Sequence, residues 1–190
     1  MTEFTRRLQE NTTHPVGTPG GSEWLLGPWT PLSGPVHIQT IVLVRGLPGV
    51  GKTTLARTCF PERTLFEADM FADAPGVRTV ADRHARCRHA IAGHLLSTPA
   101  DLIICNTFTQ AWELQGYLQA LPVRLDGRLL VPVILALAPG HLTDADLARR
   151  TVHQVPVQAI TAMRERWEPW PGEILLKSGE GVCASEAQRT

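Results

Sequence analysis

The sequence predicts an α/β protein with a parallel, doubly wound sheet of about five strands and helices on both faces. Three observations support this prediction. Short apolar, β-rich runs alternate with segments of helical composition, a glycine-rich loop separates the first run from the first helix, and polar side chains follow several predicted strands. Ligands of such sheets bind beyond the carboxyl ends of the strands, so we expect the functional site there.

The predicted elements follow one another through a single domain at residues 37–177. Strands are expected at 38–44, 63–67, 101–105, 129–137 and 174–176, and helices at 52–59, 81–97, 109–121, 143–151 and 156–167. The first strand is almost wholly apolar from Ile41, as expected of a parallel strand covered on both faces. Thr143 and Asp146 have nearly the spacing and chemistry of a capping box, with Asp in place of the usual Glu. The fold is expected to include a short helical lid.

The segments on either side of this domain differ from it in composition. Residues 1–36 are rich in Gly and Pro, which disfavour regular ladders, so we interpret them as an extension. Trp24 and Trp29 favour its attachment to the core, with a substrate or partner surface as the alternative. Residues 178–190 are small and polar and predict a flexible tail.

Composition narrows the classes of function. The chain has 18 basic and 18 acidic residues, a balance that argues against a protein that coats nucleic acid, but not against a groove for one strand end. The polar N-terminus lacks the apolar segment of a signal peptide. The longest apolar run, 131–138, is too short to span a membrane. The spacing of the four cysteines favours reduced thiols over a metal site. Together these features predict a cytoplasmic protein with no membrane partner.

The glycine-rich loop has the pattern of a phosphate-binding loop. It matches G-x-x-x-x-G-K-[ST] through Gly46, Leu47, Pro48, Gly49, Val50, Gly51, Lys52 and Thr53, and Thr54 follows. Its glycines allow backbone amides to surround phosphate oxygens. We expect Lys52 to reach the β- and γ-phosphates and Thr53 to ligate Mg²⁺. The loop therefore predicts a P-loop NTPase fold that binds a nucleoside triphosphate, ATP or GTP.

Two carboxylates follow the second predicted strand, across the expected cleft from the phosphate loop. Asp69 could accept a proton from an attacking hydroxyl, and the alternative is a helix cap or turn residue. Glu67 could contribute to the magnesium shell. The third strand ends at Cys105 and Asn106, which carry no charge, so a strand-end carboxylate for the metal would have to come from Glu67 or Asp69.

Two adjacent arginines, Arg149 and Arg150, lie at the end of the helix that follows the fourth strand. They could move over the nucleotide as part of a lid and neutralise charge in a transition state. The alternative is a solvated pair that compensates the helix dipole. Composition alone does not separate these interpretations.

Several blocks of the chain resemble the small kinases related to phage polynucleotide kinase. That family includes the ATP-binding domain of NEDD4-binding-protein-2-like proteins and bacterial and phage proteins called AAA family ATPases. The resemblance covers residues 38–170, and its blocks are Gly46 to Ala56, Glu67 to Phe71, His84 with Cys87, Asn106 to Glu113 with Tyr117, and Arg150 to Pro156 with the helix after it.

The resemblance implies a P-loop kinase that transfers the γ-phosphate of ATP, with a polynucleotide 5′-hydroxyl as one acceptor. It implies that Asp69 is the general base and that Arg150, or Arg149, is the lid arginine. The chain also departs from the family. Cys105 replaces an Asp, Phe108 an Asn found in some relatives, and Thr151 and Gln154 the usual Asn and Gly of the lid. These departures affect the assignment of the acceptor more than the assignment of ATP as the nucleotide.

Three functions are therefore compatible with the sequence. The first is a kinase that acts on a nucleic-acid 5′-end. The second is a small-molecule kinase with the same fold, which the zero net charge keeps open. The third is a nucleotide-binding regulatory ATPase with little turnover, which would suit the uncharged end of the third strand.

Overall fold

The computed structural model describes residues 37–177. The extension predicted at 1–36 and the tail predicted at 178–190 lie outside the described residues. The strands are β1 (His37–Arg45), β2 (Thr64–Phe66), β3 (Leu102–Asn106), β4 (Arg124–Leu125), β5 (Arg128–Ala138) and β6 (Ile174–Lys177). The helices are α1 (Lys52–Cys59), α2 (Val80–Ser97), α3 (Ala111–Leu118), α4 (Asp144–Arg150) and α5 (Val157–Glu165), with a 3-10 helix at Ala68–Phe71.

The six strands form one sheet in the order β2-β3-β1-β5-β4, and β6 also pairs with β5. All pairings are parallel except that of β4 with β5. One hydrophobic cluster covers each face of the sheet, and the apolar segment 41–44 of β1 is at most 1% exposed. The predicted parallel α/β sheet is confirmed. Within residues 37–177, none of the helices combines the length and the hydropathy that a membrane crossing needs.

The antiparallel hairpin of β4 and β5 was not predicted. Its two-residue turn consists of Asp126 and Gly127, whose φ values are 47° and 77°. Asp-Gly between two short strands is a strong signal for such a turn, because both residues tolerate positive φ. The capping box of α4 was predicted correctly: Thr143 and Asp146 each accept a hydrogen bond from the other's backbone amide.

A buried arginine at the carboxyl end of β1 anchors the strand just before the glycine-rich loop. Arg45 is fully buried, pairs with Glu173 at 2.8 Å and lies 4.1 Å above the Trp167 ring. It also donates to the backbone carbonyls of Thr109 and Glu168. Burial of an arginine is costly unless its charge is paired and its donors are bonded, and both Nη groups of Arg45 meet this condition, whereas its Nε has no hydrogen-bond partner among the described residues. Arg45 therefore ties the loop after β3 and the segment before β6 to the base of the site.

Two of the three described cysteines agree with the prediction of reduced thiols. Cys87 and Cys105 are free and buried. Cys59, at the end of α1, is disulfide-bonded, so the prediction was wrong for that residue.

Candidate active site

The glycine-rich loop turns sharply between β1 and α1. Gly49 and Gly51 adopt φ values of 76° and 103°, in the left-handed region that favours glycine. A Cβ atom on Gly49 would lie 2.2 Å from the carbonyl oxygen of Leu147 in α4. The amide of Gly46 donates to the carbonyl of Thr107 beyond β3. The loop is thus held by its neighbours in a shape that other residue types would disturb.

The Lys52 ammonium lies at the base of this loop. Its Nζ donates to the carbonyls of Gly46 and Leu47 at 2.8 and 3.0 Å. Desolvation of the ammonium lowers the pKa of Lys52 to about 8, an effect that the nearby carboxylates partly offset. A cation that is poorly solvated and bonded only to carbonyls is suited to receive phosphate oxygens. The loop and Lys52 therefore fit the phosphates of a nucleotide.

Thr53 and Glu67 face each other across the same floor. The Thr53 hydroxyl donates to Oε1 of Glu67 at 2.6 Å, although 14 residues separate them in the chain. A hydroxyl and a carboxylate at this distance form a hard-oxygen donor pair of the kind that Mg²⁺ prefers, with phosphate oxygens completing the shell. The side chains present therefore fit the predicted metal site at Thr53 and Glu67.

The end of β3 supplies no charge to this floor. The Cys105 thiol lies 3.8 Å from the Lys52 carbonyl, and burial raises the pKa of that thiol far above its ordinary value, so it stays neutral. Asn106 supports the neighbouring strand end instead. Its Oδ1 accepts from the amide of Ala68 at 2.9 Å, and its Nδ2 lies 3.4 Å from the Tyr117 hydroxyl. Asn106 thereby fixes the start of the 3-10 helix.

Asp69 lies in that 3-10 helix, directly after Glu67, and its carboxylate is 53% exposed. One oxygen, Oδ1, lies 3.3 Å from Nη1 of Arg83 on α2. The other, Oδ2, lies 3.7 Å from Nε2 of His153 in the turn between α4 and α5. Asp69 caps no helix through its side chain among the described contacts, and basic side chains from two separate elements lie next to it.

His84, next to Arg83, also lines the cleft. Its Nδ1 lies 2.8 Å from the Tyr117 hydroxyl, and burial lowers its pKa, which favours the neutral ring. Tyr117 in turn packs edge-on against Phe108, with ring centroids 4.9 Å apart. The sequence blocks that contain His84, Asn106 and Tyr117 thus form one connected support behind Asp69.

The two candidate lid arginines have different surroundings. Arg150 lines the cleft, whereas Arg149 lies outside its lining and pairs with Asp146 on its own helix. Helix α4 is itself fixed, because Leu147 packs on Gly49 and Asp144 pairs with Arg164 of α5 at 2.7 Å. The position of Arg150 therefore depends on a helix that is packed against the phosphate loop.

A single cleft of about 510 Å³ joins these groups. It runs from the glycine-rich loop, past the Thr53 and Glu67 pair, to Asp69, and the turn that carries His153 closes its far side. The residues of the predicted site that line it are Pro48, Gly49, Gly51, Lys52, Thr53, Thr54, Glu67, Asp69 and Arg150. Arg83 was not identified from the sequence, although its position beside His84 on α2 was a usable signal.

Comparisons with known proteins agree with this architecture. No family model matches the chain. Human NEDD4-binding protein 2 is 29% identical over 165 residues, which cover 78% of this chain and 9% of the human protein. The chain thus spans less than a tenth of that relative's length.

Two solved structures have a similar fold. A fungal RNA kinase has a TM-score of 0.51 at 15% identity and aligns over 80% of this chain and 79% of its own. The Pnkp1/Rnl/Hen1 RNA repair complex has a TM-score of 0.51 at 16% identity, over 70% of this chain and 45% of the matched one. At such identities the likeness shows the fold alone, so this chain shares the parallel α/β architecture of these two structures.

Proposed function

We propose that this chain is an ATP- and Mg²⁺-dependent kinase that transfers the γ-phosphate of ATP to a hydroxyl group. The observation that carries the proposal is the continuity of the cleft. The phosphate loop, the oxygen pair of Thr53 and Glu67, the carboxylate of Asp69 and the side chain of Arg150 all line it. Phosphoryl transfer needs positioning and charge neutralisation more than covalent help from the protein, and these groups supply both.

Each residue has a distinct part in the proposed reaction. The loop amides and Lys52 hold the phosphates, and Thr53 and Glu67 would hold Mg²⁺, which neutralises charge on the phosphate oxygens when bound. Asp69 accepts the proton of the acceptor hydroxyl as its oxygen bonds to the γ-phosphorus and the bond to the β,γ-bridging oxygen breaks. Arg150 offsets the charge on the transferred group.

For the acceptor, we propose a polynucleotide 5′-hydroxyl. The resemblance of the sequence blocks to polynucleotide kinases supports this choice, and so does the fold shared with a fungal RNA kinase. The cleft beyond Asp69 is also lined by Arg83, Arg150 and His153, which suit a phosphate-bearing acceptor. The zero net charge of the chain suits a groove for a strand end better than a long nucleic-acid surface.

The test is transfer from γ-labelled ATP with Mg²⁺ to 5′-hydroxyl RNA and DNA oligonucleotides. The same oligonucleotides with a 5′-phosphate are the matched control, because only the acceptor group differs. Label in the 5′-hydroxyl oligonucleotides alone supports the proposal. Label only in a panel of small hydroxyl metabolites would establish a small-molecule kinase instead.

A specific observation favours one alternative, a nucleotide-binding ATPase with little turnover. Burial keeps the Cys105 thiol neutral at a strand end where the family resemblance implies an Asp, so a bound metal would lack that carboxylate. ATP binding without transfer to any acceptor would support this alternative. A measurement of ATP hydrolysis without an acceptor would then test the ATPase activity that the resemblance to proteins called AAA family ATPases implies.

A further inference from the structure

The turn between α4 and α5 presents His153 to the carboxylate of Asp69. The Thr151 hydroxyl donates to the Ala148 carbonyl at 2.9 Å and accepts from the Val155 amide at 3.1 Å, so it closes the turn on itself. Gln154 in this turn has a φ of 51°. The turn follows a helix that is packed on the phosphate loop. The turn that carries His153 is therefore anchored to α4.

The two oxygens of Asp69 have different partners. Oδ1 lies within 3.3 Å of the Arg83 guanidinium, whereas Oδ2 lies 3.7 Å from Nε2 of His153. The second distance is too long for a hydrogen bond. A hydroxyl oxygen placed about 2.8 Å from both atoms, an ordinary hydrogen-bond length, would complete a triangle on that 3.7 Å base. The two atoms are thus spaced so that one acceptor hydroxyl could form a hydrogen bond with each of them.

We infer that His153 and Asp69 together bind the acceptor hydroxyl, and that His153 is an acceptor-orienting catalytic residue. The inference rests on the proposed kinase function. Nε2–H of His153 donates to one lone pair of the hydroxyl oxygen, and the hydroxyl donates its proton to Oδ2 of Asp69. The second lone pair then points to the γ-phosphorus. When the new oxygen–phosphorus bond forms, the proton passes to Asp69 and ADP leaves.

Arg83 has a supporting part in this arrangement. By pairing with Oδ1 it leaves Oδ2, on the His153 side, to accept the proton. His153 is 64% exposed and Asp69 53% exposed, so both are accessible to an acceptor that enters from solvent. The contact joins the lid side of the cleft to the 3-10 helix, which predicts that His153 affects the acceptor and not the nucleotide.

The test compares the parent chain with His153→Ala, His153→Gln and the control His141→Ala. His141 is an exposed histidine before α4 that does not line the cleft. Steady-state transfer from γ-labelled ATP to a 5′-hydroxyl RNA oligonucleotide gives kcat, the acceptor KM and the ATP KM for each. We expect His153→Ala to lower kcat over acceptor KM by about 10- to 100-fold, with an unchanged ATP KM. His153→Gln, which keeps an N–H donor, should recover most of the loss, and His141→Ala should match the parent.

The outcomes separate the two proposals. If the parent transfers label and His153→Ala equals the parent, the role of His153 is wrong while the kinase function stands. An equal increase in the ATP KM and the acceptor KM would also overturn the role of His153, because such a result would indicate a general disturbance of the cleft. If the parent transfers no label to any acceptor, the kinase function fails and the role of His153 fails with it. The unfolding temperature of each variant is also measured, and equal values exclude a folding defect as the cause of lost transfer.

Discussion

The proposed nucleotide half of the cleft is formed by residues 46–54 with Glu67, and most of it comes from one continuous stretch of chain. The proposed acceptor half consists of side chains from three elements: Asp69 from the 3-10 helix, Arg83 from α2, and Arg150 and His153 from the end of α4 and the turn after it. The first half is therefore shaped largely by local conformation, above all by positive φ at Gly49, and is supported by Leu147 of α4 and by Thr107. The second half exists only when separate elements are docked.

This difference predicts which property of the protein each half controls. A site built from backbone amides recognises phosphates whatever the rest of the ligand is. A site built from converging side chains changes with single substitutions, so it can determine which acceptor is used. Variants in the two halves should therefore have separable effects on nucleotide binding and on transfer.

The largest effect is expected from Lys52→Ala in the nucleotide half. Loss of the ammonium removes the charge-assisted bonds to the β- and γ-phosphates, so ATP affinity and turnover should each fall by about 100-fold or more. Calorimetric titration with Mg²⁺-ATP measures the first, and label transfer the second. Arg57→Ala, on an exposed position of the same helix, is the control. Parent-like ATP affinity in Lys52→Ala would contradict the assignment of the glycine-rich loop and Lys52 as the ATP site.

The next effect distinguishes Arg150, in the acceptor half, from its neighbour Arg149 outside the cleft. Arg150 lines the cleft, so Arg150→Ala should lower kcat for transfer by about 100-fold through loss of charge stabilisation. Arg149 pairs with Asp146 outside the cleft, so Arg149→Ala should stay within about threefold of the parent, as expected when an exposed ion pair is lost. Single-turnover transfer rates provide the measurement. A larger loss in Arg149→Ala than in Arg150→Ala would reverse the assignment.

A smaller effect, on stability, tests how the two halves are joined. In Gly49→Ala the new Cβ would lie 2.2 Å from the Leu147 carbonyl oxygen at a φ of 76°, so unfolding free energy should fall by about 1–3 kcal/mol. Gly93→Ala on α2 is the matched control, because a Cβ there meets nothing within 4 Å. That control should be more stable by about 0.5–1 kcal/mol, as Ala suits a helix better. Equal stabilities in chemical denaturation would contradict the contact between loop and α4.

The smallest effect is a pH dependence of ATP binding. Burial lowers the pKa of Lys52 to about 8 in the free protein, and phosphate oxygens should raise it in the complex. Below pH 8 the ammonium is already charged, so ATP binding is accompanied by little proton uptake. Above pH 8 binding must protonate Lys52, so affinity should fall as pH rises. Calorimetry at pH 7 and pH 9 in buffers of different ionisation enthalpy measures the uptake, and equal uptake at both values would count against the role of Lys52.

The sequence predicts the nucleotide half of the cleft better than the acceptor half. The order of strands and helices and the whole phosphate loop were predictable, because apolar periodicity and the P-loop pattern are contiguous signals. The contacts of Asp69 with Arg83 and His153 were not, since they depend on how α2 and the lid turn dock. Arg45 was missed for a similar reason: only the three-dimensional structure shows that Glu173 and Trp167 surround it.

Two positions where the chain departs from the family that it resembles have a left-handed backbone. Phe108 and Gln154 have φ values of 45° and 51°, a region that favours the Asn and Gly that the resemblance implies there. Phe108 compensates by packing on the ring of Tyr117. Gln154 is exposed in the turn that carries His153. Neither change removes a group from the floor of the cleft, so both are compatible with ATP binding.

The most direct test of the central claim, that one cleft binds ATP and passes its phosphate to a hydroxyl at Asp69, is a comparison of Asp69→Asn with Asp73→Asn. Asp73 is an exposed aspartate just beyond the 3-10 helix and does not line the cleft. Mg²⁺-ATP affinity and label transfer are measured on the same preparations. We expect Asp69→Asn to keep the parent's ATP affinity and to lose transfer by about 100-fold or more, while Asp73→Asn retains both. Parent-like transfer by Asp69→Asn would contradict the account.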